Sequence, residues 1–201
     1  MDRHAWDKRY SGSELLWTSE PSRCLVAEAS ELTPGRALDL ACGEGRNAVW
    51  LAERGWRVTG VDFSPVGLDK AAALARSRGV DADWVAADLL DWEPARAAFG
   101  LVILFYLQLP ASERSTIVGR AAAAVAAGGT FLLVGHDSAN IERGYGGPQI
   151  PAVLYTAHDI VGDLGGSGLD IEKAERVERP VPTPDGVRIA LDALVRASRP
   201  A

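Results

Sequence analysis

The sequence predicts an α/β fold, in which a mostly parallel sheet is covered by helices on both of its faces. Strand-like and helix-like segments alternate along the chain, which is typical of this fold class. One apolar run ends in Asp39 and breaks into a loop with glycines at positions 43 and 45. A second apolar run, residues 57–61, ends in Asp62. This order of strand, glycine loop, helix, strand and acid is how a sheet holds a nucleotide-like cofactor.

The individual elements follow from apolar patterning and from residues that start or stop a helix. Ser64 and Pro65 indicate a helix start, Gly79 its stop, and Gly128 with Gly129 the stop of a later helix. Strands are predicted near residues 37–41, 57–61, 83–87, 101–105, 130–135, 169–177 and 187–196, with a proline-rich turn over 180–186 before the last. Helices are predicted near residues 21–31, 46–54, 65–78, 112–126 and 156–164.

The composition is that of a globular protein with enough residues for one substantial core. The 201 residues carry a formal net charge of −6, which argues against a general nucleic-acid binder because such a protein needs a basic face. The N-terminus lacks the apolar segment of a signal peptide, and the longest apolar run, residues 101–107, is too short to span a membrane. Cys24 and Cys42 form no disulfide framework and no metal-ligand spacing. We therefore expect a cytoplasmic protein with no metal, membrane or nucleic-acid partner.

The glycine loop fits two kinds of cofactor, and the nearby charges favour one of them. Gly43, Gly45 and Ala48 match the G-x-G-x-x-G/A pattern of dinucleotide-binding proteins. Glu44 and Asp39 would meet a pyrophosphate as like charges, and one such pair ~4 Å apart costs about 4 kcal/mol at an effective dielectric of about 20. S-adenosylmethionine carries a sulfonium and an ammonium and no phosphate, so it suits these carboxylates better.

At this loop the chain resembles the class I S-adenosylmethionine-dependent methyltransferases, whose first motif is an acidic residue followed by a glycine-rich loop. The motif is seen here as Asp39-Leu40-Ala41-Cys42-Gly43-Glu44-Gly45. The resemblance extends in the correct order over residues 37–135, and residues 43–48 are similar to small bacterial members such as tellurite-resistance and thiopurine methyltransferases. Ala41 departs from the pattern, since many members have a glycine there. The resemblance implies a Rossmann-like, doubly wound, seven-stranded sheet with an antiparallel last strand, in a single domain over residues 1–201.

The resemblance places the first cofactor-binding residues after the first strand. It puts the Asp39 carboxylate near the methionine end of the cofactor, and a loop-capping or helix-dipole aspartate is the alternative. Gly43 and Gly45 let backbone N–H groups approach a ligand where a Cβ would intrude, although a plain tight turn also needs glycines. Arg46 and Asn47 either meet the methionine carboxylate or form the first polar turn of the next helix.

The second and third strands end in residues that fit ribose and adenine. Asp62 can accept hydrogen bonds from both ribose hydroxyls, and Phe63 can either stack on adenine or pack in the core. By resemblance, Asp88 accepts from the exocyclic amine of adenine and Leu89 offers its backbone. A turn aspartate is the alternative for Asp88.

The methyl-transfer site is predicted at the ends of the fourth and fifth strands, where parallel sheets bind ligands. Phe105 and Tyr106 should line it, and Tyr106 either points at the sulfonium or the acceptor or is merely packed. His136 either takes a proton from the acceptor or is a polar cap at the strand end.

Two segments outside the sheet complete the predicted site. Residues 1–20 contain Trp6, Tyr10 and Trp17 and are expected to form a flap over the cofactor, with Trp17 as the contact residue, or an arm anchored on the domain. The glycine-rich loop 136–155 is expected to face the substrate, because long loops in compact domains tend to be functional.

These observations predict methyl transfer from S-adenosylmethionine to a small-molecule acceptor by in-line displacement. Such a reaction needs mainly alignment and exclusion of water, and a hydroxyl acceptor also needs a base. An NAD-dependent oxidoreductase and a cofactor-binding regulatory protein without turnover are the alternatives. The sequence leaves the acceptor open, as well as the choice between a monomer and a homodimer.

Overall fold

The computed structural model describes residues 2–201, so Met1 of the predicted flap segment lies outside the described residues. Helices α1–α7 span Arg3–Tyr10, Arg23–Ala29, Arg46–Glu53, Pro65–Ser77, Ala111–Ala124, Asn140–Arg143 and Ala157–Asp163, with a 3-10 turn at Pro151–Val153. Strands β1–β7 span Arg36–Leu40, Arg57–Asp62, Asp83–Ala86, Phe99–Phe105, Val125–His136, Asp170–Thr183 and Gly186–Ser198. Within residues 2–201, no helix is both long enough and apolar enough to cross a membrane.

The seven strands form one sheet in the order β3-β2-β1-β4-β5-β7-β6. Strands β1 to β5 pair in parallel, whereas β7 runs antiparallel to both of its neighbours, β5 and β6. The central strand β4 is apolar and buried along nearly its whole length, because helices cover both faces of the sheet. The predicted fold class, a doubly wound Rossmann-like sheet with an antiparallel last strand, is confirmed.

Two apolar layers cover the two faces of this sheet. One layer joins helices α2 and α3 to the strands and contains Leu25, Leu51 and Ile103. The other joins helices α5 and α7 to the opposite face and contains Ile117 and Ile160. With both faces covered, the carboxyl ends of the parallel strands are the place where the sheet can meet a ligand.

The N-terminal segment contains a helix that the sequence pattern did not predict. Helix α1 begins after Asp2, whose side chain accepts a hydrogen bond from the N–H of Ala5 at 2.9 Å. The helix packs on α4, close to the glycine loop that follows β1.

The prediction that Gly128 and Gly129 end the fourth predicted helix is wrong. Helix α5 stops at Ala124, and Val125 already pairs with Phe99 at the start of β5. Gly129 lies inside β5, where a Cβ would come within 2.9 Å of the carbonyl oxygen of Phe99. The missing side chain therefore serves the close approach of two strands and does not terminate a helix.

The proline-rich turn predicted over residues 180–186 is also shorter than expected. Strand β6 continues through Pro180 and Pro182 to Thr183, and β7 begins at Gly186. Proline lacks the N–H that a central strand would need. It is tolerated in β6 because this strand lies at the edge of the sheet and pairs only with β7.

Candidate functional site

The loop between β1 and α3 is a tight turn that needs glycine for two reasons. Gly43 and Gly45 have φ values of 53° and 79°, in the left-handed region. A Cβ on Gly45 would lie 2.6 Å from the Cβ of Ala71 in α4, and one on Gly43 would lie 2.9 Å from the hydroxyl of Tyr10. The two glycines thus let helices α1 and α4 pack closely against the loop. Ala41 also has a positive φ, 57°, so a glycine would suit this position as it does in the resembled family.

Asp39 lies near the carboxyl end of β1 and is 1% exposed. Its Oδ2 is buried and has no hydrogen-bond partner within the described chain. Burial, followed by the neighbouring Asp62 carboxylate, raises the pKa of Asp39 to about 8, against the lowering effect of the Ala48 N–H and the Arg46 charge. A buried oxygen left without a donor costs about 1–3 kcal/mol. The site therefore suits a ligand group that brings a donor and a positive charge.

Asp62, the last residue of β2, is buried and fixes two backbone segments. Its Oδ2 accepts from the N–H of Gly43 at 2.8 Å, and its Oδ1 accepts from the N–H of Ser64 at 2.9 Å. Burial raises the pKa of Asp62, against the effect of these hydrogen bonds. Each oxygen keeps a further lone pair for a ribose hydroxyl. The predicted helix start is confirmed, since Ser64 Oγ accepts from the N–H of Gly67 at 3.1 Å.

Glu44 anchors the N-terminal segment to the glycine loop. Its carboxylate accepts from the backbone N–H groups of Leu16 and Trp17 at 2.9 and 3.1 Å, and it pairs with Lys70 Nζ at 3.1 Å. The Lys70 charge compensates that of Glu44, and a protonated Asp39 carries no charge. The like-charge argument against a pyrophosphate therefore has little force in the folded protein, and the choice of cofactor needs independent evidence.

Helix α1 covers the glycine loop with Tyr10 as its inward-facing residue. Tyr10 is 4% exposed and stacks on Trp6, with ring centroids 5.4 Å apart. Trp17, the predicted cofactor contact, has a side chain that is 46% exposed. The sequence pattern groups Tyr10 with Trp6 and Trp17 but favours Trp17 as the contact residue, although the spacing of Tyr10 from Trp6, one helical turn, was an available signal.

A cavity of about 380 Å³ lies beside the ends of β2 and β3. Its lining includes Phe63 and Asp88, two residues predicted to contact adenine, together with Arg3 of α1. Asp88 Oδ1 also accepts the backbone N–H two residues further on at 2.9 Å, so the turn alternative holds as well. Leu89 is buried in the core, and its carbonyl oxygen accepts from Arg120 at 2.9 Å.

Arg46 and Asn47, at the start of α3, have different environments. The Asn47 side-chain oxygen accepts from the N–H of Ser22 at 2.9 Å, so it holds the start of α2. Its amide nitrogen and the second lone pair of its oxygen are left for a ligand. Arg46 is half-buried, and its guanidinium makes no hydrogen bond or ion pair within residues 2–201. Burial lowers the pKa of Arg46, and the charges of Tyr106 and Asp39 oppose that effect. Arg46 therefore fits an anionic ligand group.

Two of the predicted methyl-transfer residues, Tyr106 and His136, meet at a buried carboxylate that the sequence pattern did not indicate. Phe105 packs in the α2–α3 layer. Tyr106 has φ 58°, and its hydroxyl donates to Oδ2 of Asp192 at 2.9 Å. His136 Nδ1 lies 3.4 Å from Asp192 Oδ1, and Arg179 donates to both carboxylate oxygens at 2.6 and 3.3 Å. Asp192 is fully buried.

The loop over residues 136–155 is tied to β7 by one buried side chain. Asn140 donates to the carbonyl oxygen of Gly146 at 2.8 Å and accepts from the N–H of Leu191 at 2.7 Å. Tyr145 and Ile150 of the same loop are 45% and 58% exposed. The loop thus has a fixed base and two exposed apolar side chains.

The strand order, the acidic residues at the ends of β1 and β2 and the glycine turn between them define the class I methyltransferase architecture. Residues 37–129 match the family model described as "Methyltransferase domain". Residues 37–129 are thus similar to a methyltransferase domain, and the resemblance to the class I S-adenosylmethionine-dependent methyltransferases that the motif at Asp39 predicts is confirmed. S-adenosylmethionine is the cofactor of this family, which confirms the predicted cofactor.

Individual proteins that are similar to this chain are also methyltransferases. Over 119 residues the chain is 30% identical to the 2-heptyl-1-hydroxyquinolin-4(1H)-one methyltransferase of Mycobacteroides abscessus, a match that covers 57% of this chain and 52% of that protein. Over 125 residues it is 32% identical to the demethylmenaquinone methyltransferase of Thermus thermophilus, covering 61% of this chain and 55% of that protein. The chain thus spans about half the length of these curated relatives.

A solved structure described as "Conversion of a Disulfide Bond into a Thioacetal Group during Echinomycin Biosynthesis" is similar over nearly the whole chain. The two share 23% sequence identity and superpose with a TM-score of 0.78, covering 98% of this chain and 91% of that one. At this level of identity, the similarity supports the fold and no particular reaction.

Proposed function

We propose that the protein transfers the methyl group of S-adenosylmethionine to a small-molecule acceptor by in-line displacement. The observation that carries this proposal is the buried Oδ2 of Asp39, which lies at the end of β1 without a hydrogen-bond partner in the described chain. An ammonium supplies both a donor and a charge at such a position. The methionine end of the cofactor has one, whereas a pyrophosphate does not.

The remaining strand ends fit the other parts of the cofactor in order. Arg46 is available for the methionine carboxylate, and Asp62 retains lone pairs for the ribose hydroxyls. The cavity lined by Phe63 and Asp88 can receive the adenine. When bound, the sulfonium supplies an activated methyl group. The protein's own residues then have to align the acceptor and exclude water.

The segments that cover the site belong to the same proposal. Residues 1–20 act as a flap, because α1 lies on the glycine loop and Glu44 holds the backbone of Leu16 and Trp17. The loop over residues 136–155 faces the acceptor, and the whole chain works as a single domain. Both relatives described above act on small molecules according to their names, which supports a small acceptor for this chain.

Isothermal titration of the purified protein with S-adenosylmethionine, S-adenosylhomocysteine and NAD tests the cofactor. We expect binding of the two sulfur ligands and none of NAD. Asp62→Ala is expected to weaken binding of S-adenosylhomocysteine by roughly 100-fold, because two charge-assisted hydrogen bonds to the ribose are lost. Asp185→Ala, at an exposed aspartate between β6 and β7, serves as the matched control and should bind normally. If Asp62→Ala does not fold, Asp62→Asn, which keeps the shape of the side chain, takes its place in the test.

A screen of thiol, hydroxyl, amine and carboxylate acceptors tests the transfer step. On an acceptor found in this way, His136→Ala should reduce turnover by about 10²–10⁴-fold and leave S-adenosylhomocysteine binding intact. Binding of NAD alone would favour an oxidoreductase. Binding of the sulfur ligands without methylated product across the panel would favour a regulatory protein.

A further inference from the structure

The carboxylate of Asp192 in β7 is approached by polar side chains from three other strands or their ends. Tyr106 donates from the end of β4 and Arg179 from β6, while His136 at the end of β5 turns Nδ1 toward the same carboxylate. The carboxylate is fully buried, and after burial its charge is the next cause that raises the pKa of the nearby Cys24 in α2. Neither the sequence pattern nor the family motif assigns a role to this residue.

The sheet register explains why His136 and Asp192 meet. The two are directly opposed in the antiparallel pair of β5 and β7, so their side chains lie on the same face of the sheet. The Nδ1–Oδ1 distance of 3.4 Å is longer than a well-formed hydrogen bond. Accordingly, Nδ1 is a buried nitrogen without a full partner in residues 2–201. Asp192 is the acceptor that a proton on this nitrogen would meet.

We propose that Asp192 is a positioning residue that keeps the Nδ1 proton on His136 and so leaves Nε2 free to accept a proton from the methyl acceptor. This inference rests on the proposed methyl transfer, because it assigns His136 the role of base in that reaction. The logic is that of any imidazole oriented by a carboxylate: the hydrogen bond at one nitrogen selects the tautomer and frees the other nitrogen.

The ionisation of Asp192 supports this role. Burial alone would raise the pKa of Asp192, but the approach of His136 and the hydrogen bonds from Arg179 and Tyr106 hold it below its usual value. An ionised carboxylate can accept from Nδ1 and can stabilise the imidazolium that forms when Nε2 takes a proton. Tyr106 reaches this carboxylate from a left-handed backbone conformation, which is strained for a residue other than glycine.

A second buried carboxylate, that of Asp137, follows His136 in the sequence and forms a different ion pair. Asp137 is 1% exposed, pairs with Arg176 at 2.9 Å and accepts from the N–H of Ala139 at 2.9 Å. It makes no contact with His136 that resembles the one made by Asp192. Asp137 therefore provides the matched control.

The transfer step balances in atoms and charge. The acceptor X–H loses its proton to Nε2 of His136 as the X–CH₃ bond forms and the S–CH₃ bond of the sulfonium breaks. The products are the methylated acceptor, a neutral thioether and an imidazolium beside the Asp192 carboxylate. The imidazolium then returns its proton to solvent.

The test is a long-range ¹H–¹⁵N spectrum of the histidine side chains, which reports the tautomer of each ring without any acceptor. The chain has three histidines, of which His4 and His158 are exposed and serve as internal references. His136→Gln assigns the third set of signals. In the native protein with a neutral imidazole ring, we expect His136 to carry its proton on Nδ1, the tautomer that is less common for a free imidazole.

In Asp192→Asn the donors of Arg179 and Tyr106 should hold the amide oxygen and turn the amide NH₂ toward His136. Nδ1 must then become an acceptor, so its ¹⁵N resonance should shift from the protonated to the unprotonated range, as the proton moves to Nε2. Asp137→Asn should leave the spectrum of His136 unchanged.

The outcomes separate this inference from the proposed function. A native His136 with its proton on Nε2, or an Asp192→Asn protein with an unchanged His136 signal, would overturn the positioning role. If Asp192→Asn does not fold, the native spectrum and that of Tyr106→Phe, which keeps the carboxylate and should keep the Nδ1 proton, decide the question. Titration with S-adenosylhomocysteine reports on the cofactor site alone, and Asp192→Asn should bind it like the native protein.

Discussion

Replacing Asp39 with asparagine is expected to abolish a proton release that accompanies cofactor binding. In the folded protein without ligand, Asp39 is buried beside Asp62, and its pKa is raised to about 8. An ammonium at its unpartnered Oδ2 favours the ionised form. Cofactor binding near neutral pH should therefore expel the proton that Asp39 holds.

The magnitude follows from the pKa. At pH 7, one unit below a pKa of about 8, about nine in ten copies of Asp39 are protonated, so binding should release about 0.9 proton per site. The release should vanish above about pH 9, where Asp39 is already ionised in the free protein. Asparagine has no proton to lose, so Asp39→Asn should release none through this route.

The raised pKa of Asp39 should also make the free energy of unfolding decrease as the pH rises. The folded pKa lies above the unfolded value of 3.8, so the folded state holds a proton that the unfolded state loses first. The stability contributed by protonated Asp39 is therefore full below about pH 4 and is lost as pH rises to about 8, by roughly 6 kcal/mol at most. Asp39→Asn avoids this loss and should be more stable than the native protein at pH 8, while binding S-adenosylhomocysteine more weakly.

The assay is titration calorimetry with S-adenosylhomocysteine at pH 7 in phosphate and in Tris, whose ionisation enthalpies differ widely. The difference in apparent binding enthalpy gives the number of protons released, and repetition at pH 9 provides the internal control. Urea unfolding at pH 5 and pH 8 measures the stability of both proteins. Equal binding enthalpies of the native protein in the two buffers at pH 7 would contradict the reasoning, as would a native protein that is not less stable than Asp39→Asn at pH 8.

Two further predictions concern the glycine loop. Glu44→Gln removes the charge that pairs with Lys70 and weakens the hydrogen bonds to the backbone of Leu16 and Trp17, so limited proteolysis within residues 11–20 should be faster by about tenfold. An unchanged cleavage rate would show that other contacts hold this segment. Ala41→Gly removes an alanine that has a left-handed backbone conformation, so the free energy of unfolding measured by urea titration should rise by about 0.5–1 kcal/mol. A loss of stability would mean that the added entropy of the unfolded chain outweighs the relieved strain.

The sequence alone was sufficient to predict the structure where the interactions that determine it are local. The ends of β1 and β2, the glycine turn and the helix start at Ser64 all depend on residues a few positions apart, and their predicted positions agree with the structure within a few residues. The same local reasoning was wrong at Gly129, because the approach of Phe99 from another strand decides that position. It was also wrong at Pro180, since whether a proline interrupts a strand depends on whether that strand lies at the sheet edge.

The cluster of polar side chains around Asp192 could be predicted only in part for the same reason. The positions of His136 and Tyr106 after apolar strands drew attention to these two residues, but Asp192 and Arg179 lie in the β6–β7 hairpin, far from either in sequence. Asp192 becomes a partner of His136 only because β7 inserts next to β5. Likewise, Glu44 has the sequence context of a ligand-facing acid, and only the path of residues 11–20 turns it into an anchor.

The position of β7 also bears on how the protein is made. This strand is synthesised after the other six strands of the sheet, yet it lies inside the sheet, between β5 and β6. Until β7 has left the ribosome, β5 has an open edge and β6 has no strand to pair with, and unpaired edges of this kind invite contacts with other chains. The long-range pairing of β5 with β7 is also of the kind that forms slowly. A nascent chain can therefore assemble its glycine loop early, but Asp192 reaches His136 only when the sheet is complete.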